Sequence, residues 1–137
     1  MNQASIIFPV MVLVGWTLAV LLVIPFRRFR AAFAGQVTVR DFANGESANV
    51  PAAVSIPNRN YMNLLEAPVL FYVVCIVLFV MQKVDPVSVA LAWMYVGFRV
   101  LHSLVHLTYN NVMHRLVFFA GSTVVLAILW ISSLRGL

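Results

Sequence analysis

A chain of 137 residues with nine basic and four acidic side chains, 63% hydrophobic residues and a mean hydropathy of +0.97 cannot coat a soluble globule, in which about 25% of residues are charged. That balance excludes a soluble enzyme and a disordered tail, and Cys75 as the only cysteine excludes a disulfide scaffold. The net charge of +5 sits in few, scattered residues between apolar runs, so no nucleic-acid partner is expected and an all-α, integral membrane four-helix bundle is.

A bilayer core of about 30 Å needs roughly 20 apolar helical residues per crossing, and four stretches of the single domain 1–137 meet that length. The first runs from about Ser5 to Phe26 and ends at Arg27, Arg28 and Arg30. It is not expected to be a cleavable leader, because no basic residue precedes it and its apolar run is too long. A loop expected over about Arg27 to Asn58 follows, polar and rich in turn residues (Gly35, Gly45, Pro51 and Pro57), with part of it available to extend the first helix. The second span is expected from about Asn60 to Gln82, with Pro68 freeing the Leu64 carbonyl beside Glu66. Asp85-Pro86 reads as an N-cap with proline at the first helical position, opening a third span that reaches about Tyr109. Asn110-Asn111 is a second tight connection, and the fourth span runs from about Val112 to Leu134. Short connections make these helices antiparallel neighbours.

Topology follows the basic residues. Arg27, Arg28, Arg30, Arg40, Arg59 and Arg115 gather at one end of the spans, against Lys83 and Arg135 at the other. The loop is therefore expected in the cytoplasm and both termini outside it.

Ionisable groups inside a span are costly unless paired or facing a watery cleft, which makes each a functional candidate. Arg59, Asn63 and Glu66 stand at i, i+4 and i+7, one face of the second span. Arg99, His102 and His106 share a face of the third, and His114 and Arg115 open the fourth. Counting 1.5 Å per residue from the arginine-rich side, Glu66 lies roughly 10 Å deep and Arg99 roughly 15 Å, so a Glu66–Arg99 ion pair is expected. Arginines outnumber acids in this group. It suits an anionic ligand with several carboxylates, held by guanidinium forks, while Asn63 and Glu66 take an ammonium or amides.

These residues resemble the MAPEG family (membrane-associated proteins in eicosanoid and glutathione metabolism). The resemblance covers nearly the whole chain and is carried by Arg59-x-x-x-Asn63-x-x-Glu66, by Arg99-x-x-His102-Ser103-x-x-His106-Leu107 and by Arg115. The third-span pattern looks most like the microsomal prostaglandin E synthase branch, as does Phe42-Ala43-Asn44-Gly45-Glu46 more weakly. The resemblance implies a homotrimer that binds glutathione as cosubstrate between subunits near the cytoplasmic face, with a lipophilic small molecule arriving from the bilayer. It implies that Arg59, Asn63, Glu66, Arg99, His102 and His106 hold glutathione and that Arg115 stabilises its thiolate for conjugation or for reduction of a lipid hydroperoxide. An arginine of the first helix end or loop would assist across the subunit boundary; Arg27, Arg28, Arg30 and Arg40 all qualify. His106 stands where that branch has tyrosine, Leu116 where it has serine and Phe119 where it has tyrosine. These departures turn the expectation away from prostaglandin isomerisation.

Other readings stay beside this one. A non-catalytic lipid-binding scaffold would use the same fold. His102 and His106, at i and i+4, have a spacing that suits zinc or haem, but no acid or cysteine joins them on that face and no metal is expected. Trp16, Trp93 and Trp130 read as packing or interface residues, Gly97, Gly121 and Ser122 as close-packing positions, and Cys75 as an inert apolar residue.

Overall fold

The computed structural model describes residues 2–134, so Arg135, one of the two basic residues weighed on the far side, lies outside the described residues. The elements are helical: α1 (Ile7–Phe33), α2 (Ala52–Glu66), α3 (Pro68–Val80), α4 (Pro86–Leu107) and α5 (Val112–Leu134). Gln3–Phe33, Ala52–Val80, Pro86–Leu107 and Val112–Leu134 are each long and apolar enough to cross a membrane. The chain is thus an all-helical protein with four membrane-spanning elements, the second made of α2 and α3 together.

The loop is shorter than its composition suggests. Helix α1 continues through Arg27, Arg28 and Arg30 to Phe33, and α2 begins at Ala52, eight residues before the expected Asn60. Pro51 flanks α2 and Pro57 sits inside it. Proline costs a helix its own N–H, but in a membrane bundle neighbouring groups absorb that loss. Pro25 sits inside α1 in the same way. Pro68 acts differently: the helix breaks at Ala67, and Leu70 N–H turns to the Ala67 carbonyl at 3.3 Å.

The remaining connections are built as their residues dictate. Gln82, in the left-handed region at φ 56°, closes α3 while Lys83 N–H returns to the Leu78 carbonyl. Asp85 then caps α4: its carboxylate accepts from Ser88 N–H at 2.7 Å, and Ser88 Oγ accepts from Asp85 N–H. Gln3, from the N-terminal 3-10 turn, accepts from Val84 N–H at 2.8 Å and pins this end of the bundle. At the other end Asn110 adopts φ 49° and Asn111 Oδ1 caps Met113 and His114.

The core is apolar and continuous, with Leu13, Val20, Leu64, Phe71, Val74, Tyr95 and Leu129 all buried. Helices α4 and α5 pack closely: a Cβ on Gly121 would lie 3.2 Å from the Phe98 ring, whereas Gly97 faces open space. Gly121 therefore fits its close-packing expectation, and Gly97 has no close neighbour within its own chain. Cys75 is fully buried.

Candidate functional site

Helices α2, α4 and α5 bring most of the expected polar residues to one end of the bundle. Asn63, His102, Arg115, Leu116, Phe119 and Val112 line a pocket of about 200 Å3. Each is there for a local reason. Asn63 lies one turn before Glu66 on α2, His102 follows Arg99 by three residues on α4, and Arg115, Leu116 and Phe119 occupy the first turns of α5.

Arg99 is completely buried just behind this wall. Its Nη2 donates to the Asn63 carbonyl at 2.7 Å and also to Asn63 Oδ1, while Nε and Nη1 are buried without partners. The expected Glu66–Arg99 ion pair is absent. Among the described residues the one ion pair is Arg28–Glu46, and Glu66 is exposed. The reason is rotational: three residues turn a helix by roughly 300°, so Asn63 faces Arg99 and Glu66 is carried about 60° round α2. Arg59, also exposed, shares the outer side with Glu66. Neither lines the pocket.

His106 is buried next to His102, their rings nearly parallel at 18° and 6.1 Å between centroids. Both Nδ1 atoms are buried and unbonded. Among the described residues no group of three histidine, cysteine or acidic side chains is positioned to hold a metal ion. Arg115 Nη1 donates to Asn110 Oδ1 at 2.9 Å, its Nε is buried without a partner, and the side chain is half-buried at the pocket wall. The Phe119 ring lies 5.7 Å from the Arg99 guanidinium carbon, within cation–π range. The site thus gathers two guanidiniums and two imidazoles with no carboxylate paired to any of them among the described residues. It is built to receive negative charge.

A second polar layer escaped the sequence reading. Ser103 Oγ accepts from Trp16 Nε1 at 2.9 Å and from Asn60 Nδ2 at 2.6 Å, tying α1, α2 and α4 together next to the pocket residue His102. Trp16 is therefore a hydrogen-bonding strut. The legible signal was Asn60 three residues before Asn63, with Ser103 adjoining His102. Tyr95, one turn before Arg99, is likewise fully buried with an unbonded hydroxyl.

The loop arginines divide. Arg28 is committed within its own chain, bonded to Glu46 at 3.0 Å and stacked over Phe42 at 4.5 Å. Arg30 and Arg40 are exposed, and Arg27 is half-buried beside Pro57 and Leu107. Asp41 organises the loop by accepting from Thr38 N–H at 2.7 Å, Thr38 Oγ1 and Ser47 Oγ. The Thr38 main-chain bond, followed by the Ser47 and Thr38 hydroxyls, holds its carboxyl below the ordinary value of 3.8.

A sequence model of the MAPEG family matches residues 6–135 of this chain. Searches of curated proteins and of solved structures return no match.

Proposed function

This chain belongs to the MAPEG family, and on that premise we propose that it is a membrane-embedded, glutathione-dependent enzyme acting as a homotrimer. One observation carries the reading: Arg115 lines a 200 Å3 pocket and Arg99 is buried behind its wall, each with buried, unmade donors and no carboxylate paired with it among the described residues. A buried cation without a counter-charge is costly, and an anionic ligand offsets that cost. Glutathione, with two carboxylates, an ammonium and a thiol, matches this donor set.

In this proposal Asn63, held by Arg99, and the imidazoles of His102 and His106 bind the tripeptide's polar atoms. Arg59 and Glu66, exposed on the outer side of α2, take its charged ends where a second copy closes the site. An exposed carboxylate within a membrane-spanning element needs such a partner, which supports the oligomer. Arg115 stabilises the thiolate, because a fixed guanidinium favours S⁻ over S–H. The thiolate then attacks a lipophilic electrophile, forming a carbon–sulfur bond and expelling a leaving group. Alternatively it attacks a lipid hydroperoxide, giving the alcohol and a sulfenic acid that a second glutathione converts to disulfide and water. The Arg99–Leu107 pattern supports kinship with the prostaglandin E synthase branch. Leu116 and Phe119, which carry no hydroxyl, favour conjugation or peroxide reduction over isomerisation. The site opens toward the arginine-rich face, taken as cytoplasmic.

Calorimetric titration of glutathione into the detergent-solubilised protein, paired with turnover of a chlorodinitrobenzene or a fatty-acid hydroperoxide, tests this. Saturable binding with turnover in one assay is expected. Absence of binding overturns the proposal, and a purely monomeric native mass spectrum removes the shared site.

A further inference from the structure

The end of α1 presents an aromatic surface whose residues are not among those lining the proposed glutathione pocket, and its use by another ligand leaves the cross-subunit role to Arg27 rather than to Arg30 or Arg40. The stretch Ile7–Phe26 alone spans about 30 Å at 1.5 Å per residue, the thickness of the hydrocarbon core, yet α1 continues to Phe33. Phe26, Phe29, Arg30 and Phe33, at i, i+3, i+4 and i+7, form one exposed stripe there. Phe33 is 90% exposed and Val39, which opens the 3-10 turn Val39–Phe42, 89%. Phe29 forms a wall shared by two apolar grooves of about 370 and 380 Å3, one running under the loop to Val39 and the other along the stripe. The floor of the first is fixed, since Arg28 is bound to Glu46 and stacked on Phe42. Arg30 and Arg40 are exposed and bonded to no side chain among the described residues.

Phenylalanines this exposed are stable in neither water nor a purely polar headgroup layer. Guanidiniums beside them are unstable in hydrocarbon. The boundary between acyl chains and phosphates satisfies both. Charge complementarity selects the occupant: Arg30 lines the second groove and Arg40 follows Val39 of the first in the chain, and cations so placed beside apolar grooves fit an anionic phospholipid. We propose that the end of α1 and the 3-10 turn bind an anionic phospholipid, with acyl chains in the grooves beside Phe29 and the phosphate on Arg30 and Arg40.

The full chain, reconstituted in nanodiscs of equal phosphatidylglycerol and phosphatidylcholine and released gently, is read by native mass spectrometry for retained lipid. Phosphatidylglycerol is expected to be retained with a preference of roughly tenfold. Arg30→Gln with Arg40→Gln should abolish that preference, and Arg30→Lys with Arg40→Lys should keep most of it. Equal retention of the two lipids by the native chain overturns the proposal, as does a preference that survives the glutamine pair. Efficient copy-to-copy crosslinking at Phe33→Cys in the bilayer also overturns it, by assigning the stripe to a second copy.

Discussion

Arg99 grips Asn63 from across the bundle, its Nη2 donating to the Asn63 carbonyl at 2.7 Å and to the side-chain oxygen of the same residue. This link joins α4 to α2 through a neutral amide rather than a carboxylate, so Arg99 has no directly paired counter-charge behind the pocket wall among the described residues. A strut that only fixed helix register would be better served by Glu66, which is in the same helix but turned outward.

Arg99→Met separates a structural role from a ligand-binding one. Replacing a buried charge by an apolar side chain of similar size is often neutral for stability. Thermal unfolding in detergent is therefore expected to shift by only a few degrees, with glutathione affinity falling at least tenfold. A large loss of stability with unchanged affinity would make Arg99 a strut.

Ser103→Ala strikes the polar layer that ties α1, α2 and α4 together. It leaves the Trp16 indole N–H and the Asn60 amide without their acceptor, and each buried unmade donor costs about 1–3 kcal/mol. A destabilisation of about 2 kcal/mol or more is expected, read by tryptophan fluorescence during unfolding.

The loop carries a pH dependence through Asp41. Its folded carboxyl titrates below the ordinary value of 3.8, so its contribution to loop order is complete above that value and lost as pH falls through the lower folded value. Amide protection over residues 38–47, taken relative to the intrinsic exchange rate at each pH, should hold from neutral pH down to about 4 and fall below. Asp41→Asn should quicken exchange at neutral pH and remove the acid step.

His106→Phe should fold normally, because the buried Nδ1 it removes has no partner in the chain. If the imidazole holds glutathione, the lost bond is worth about 1 kcal/mol and affinity falls roughly fivefold by calorimetry. Unchanged affinity would take His106 out of the binding set.

Much of this was legible in the chain. Four apolar runs gave the spans, and Asp85-Pro86 gave a cap whose hydrogen bonds, made with Ser88, are now explicit. That Asn63, His102 and Arg115 lie toward the same end of the bundle followed from counting residues along antiparallel spans, and they do line one pocket. Spacing on separate helices says nothing of their mutual rotation, however, which is why Glu66 was paired with Arg99 in place of Asn63. Proline misled at Pro57, because loop and membrane-helix prolines look alike in sequence and only packing distinguishes them. Trp16, Asn60 and Ser103 come from three elements, and no local pattern announces that they meet.

The most direct test of the account is the ionisation of bound glutathione. Thiolate absorbance in the ultraviolet, followed against pH with the protein saturated, should have a midpoint about one unit or more below the ordinary thiol value of roughly 8.5. Arg115→Ala should return it to that value. Coincident midpoints for the native protein and the Arg115→Ala variant would contradict the central claim that Arg115 stabilises the thiolate.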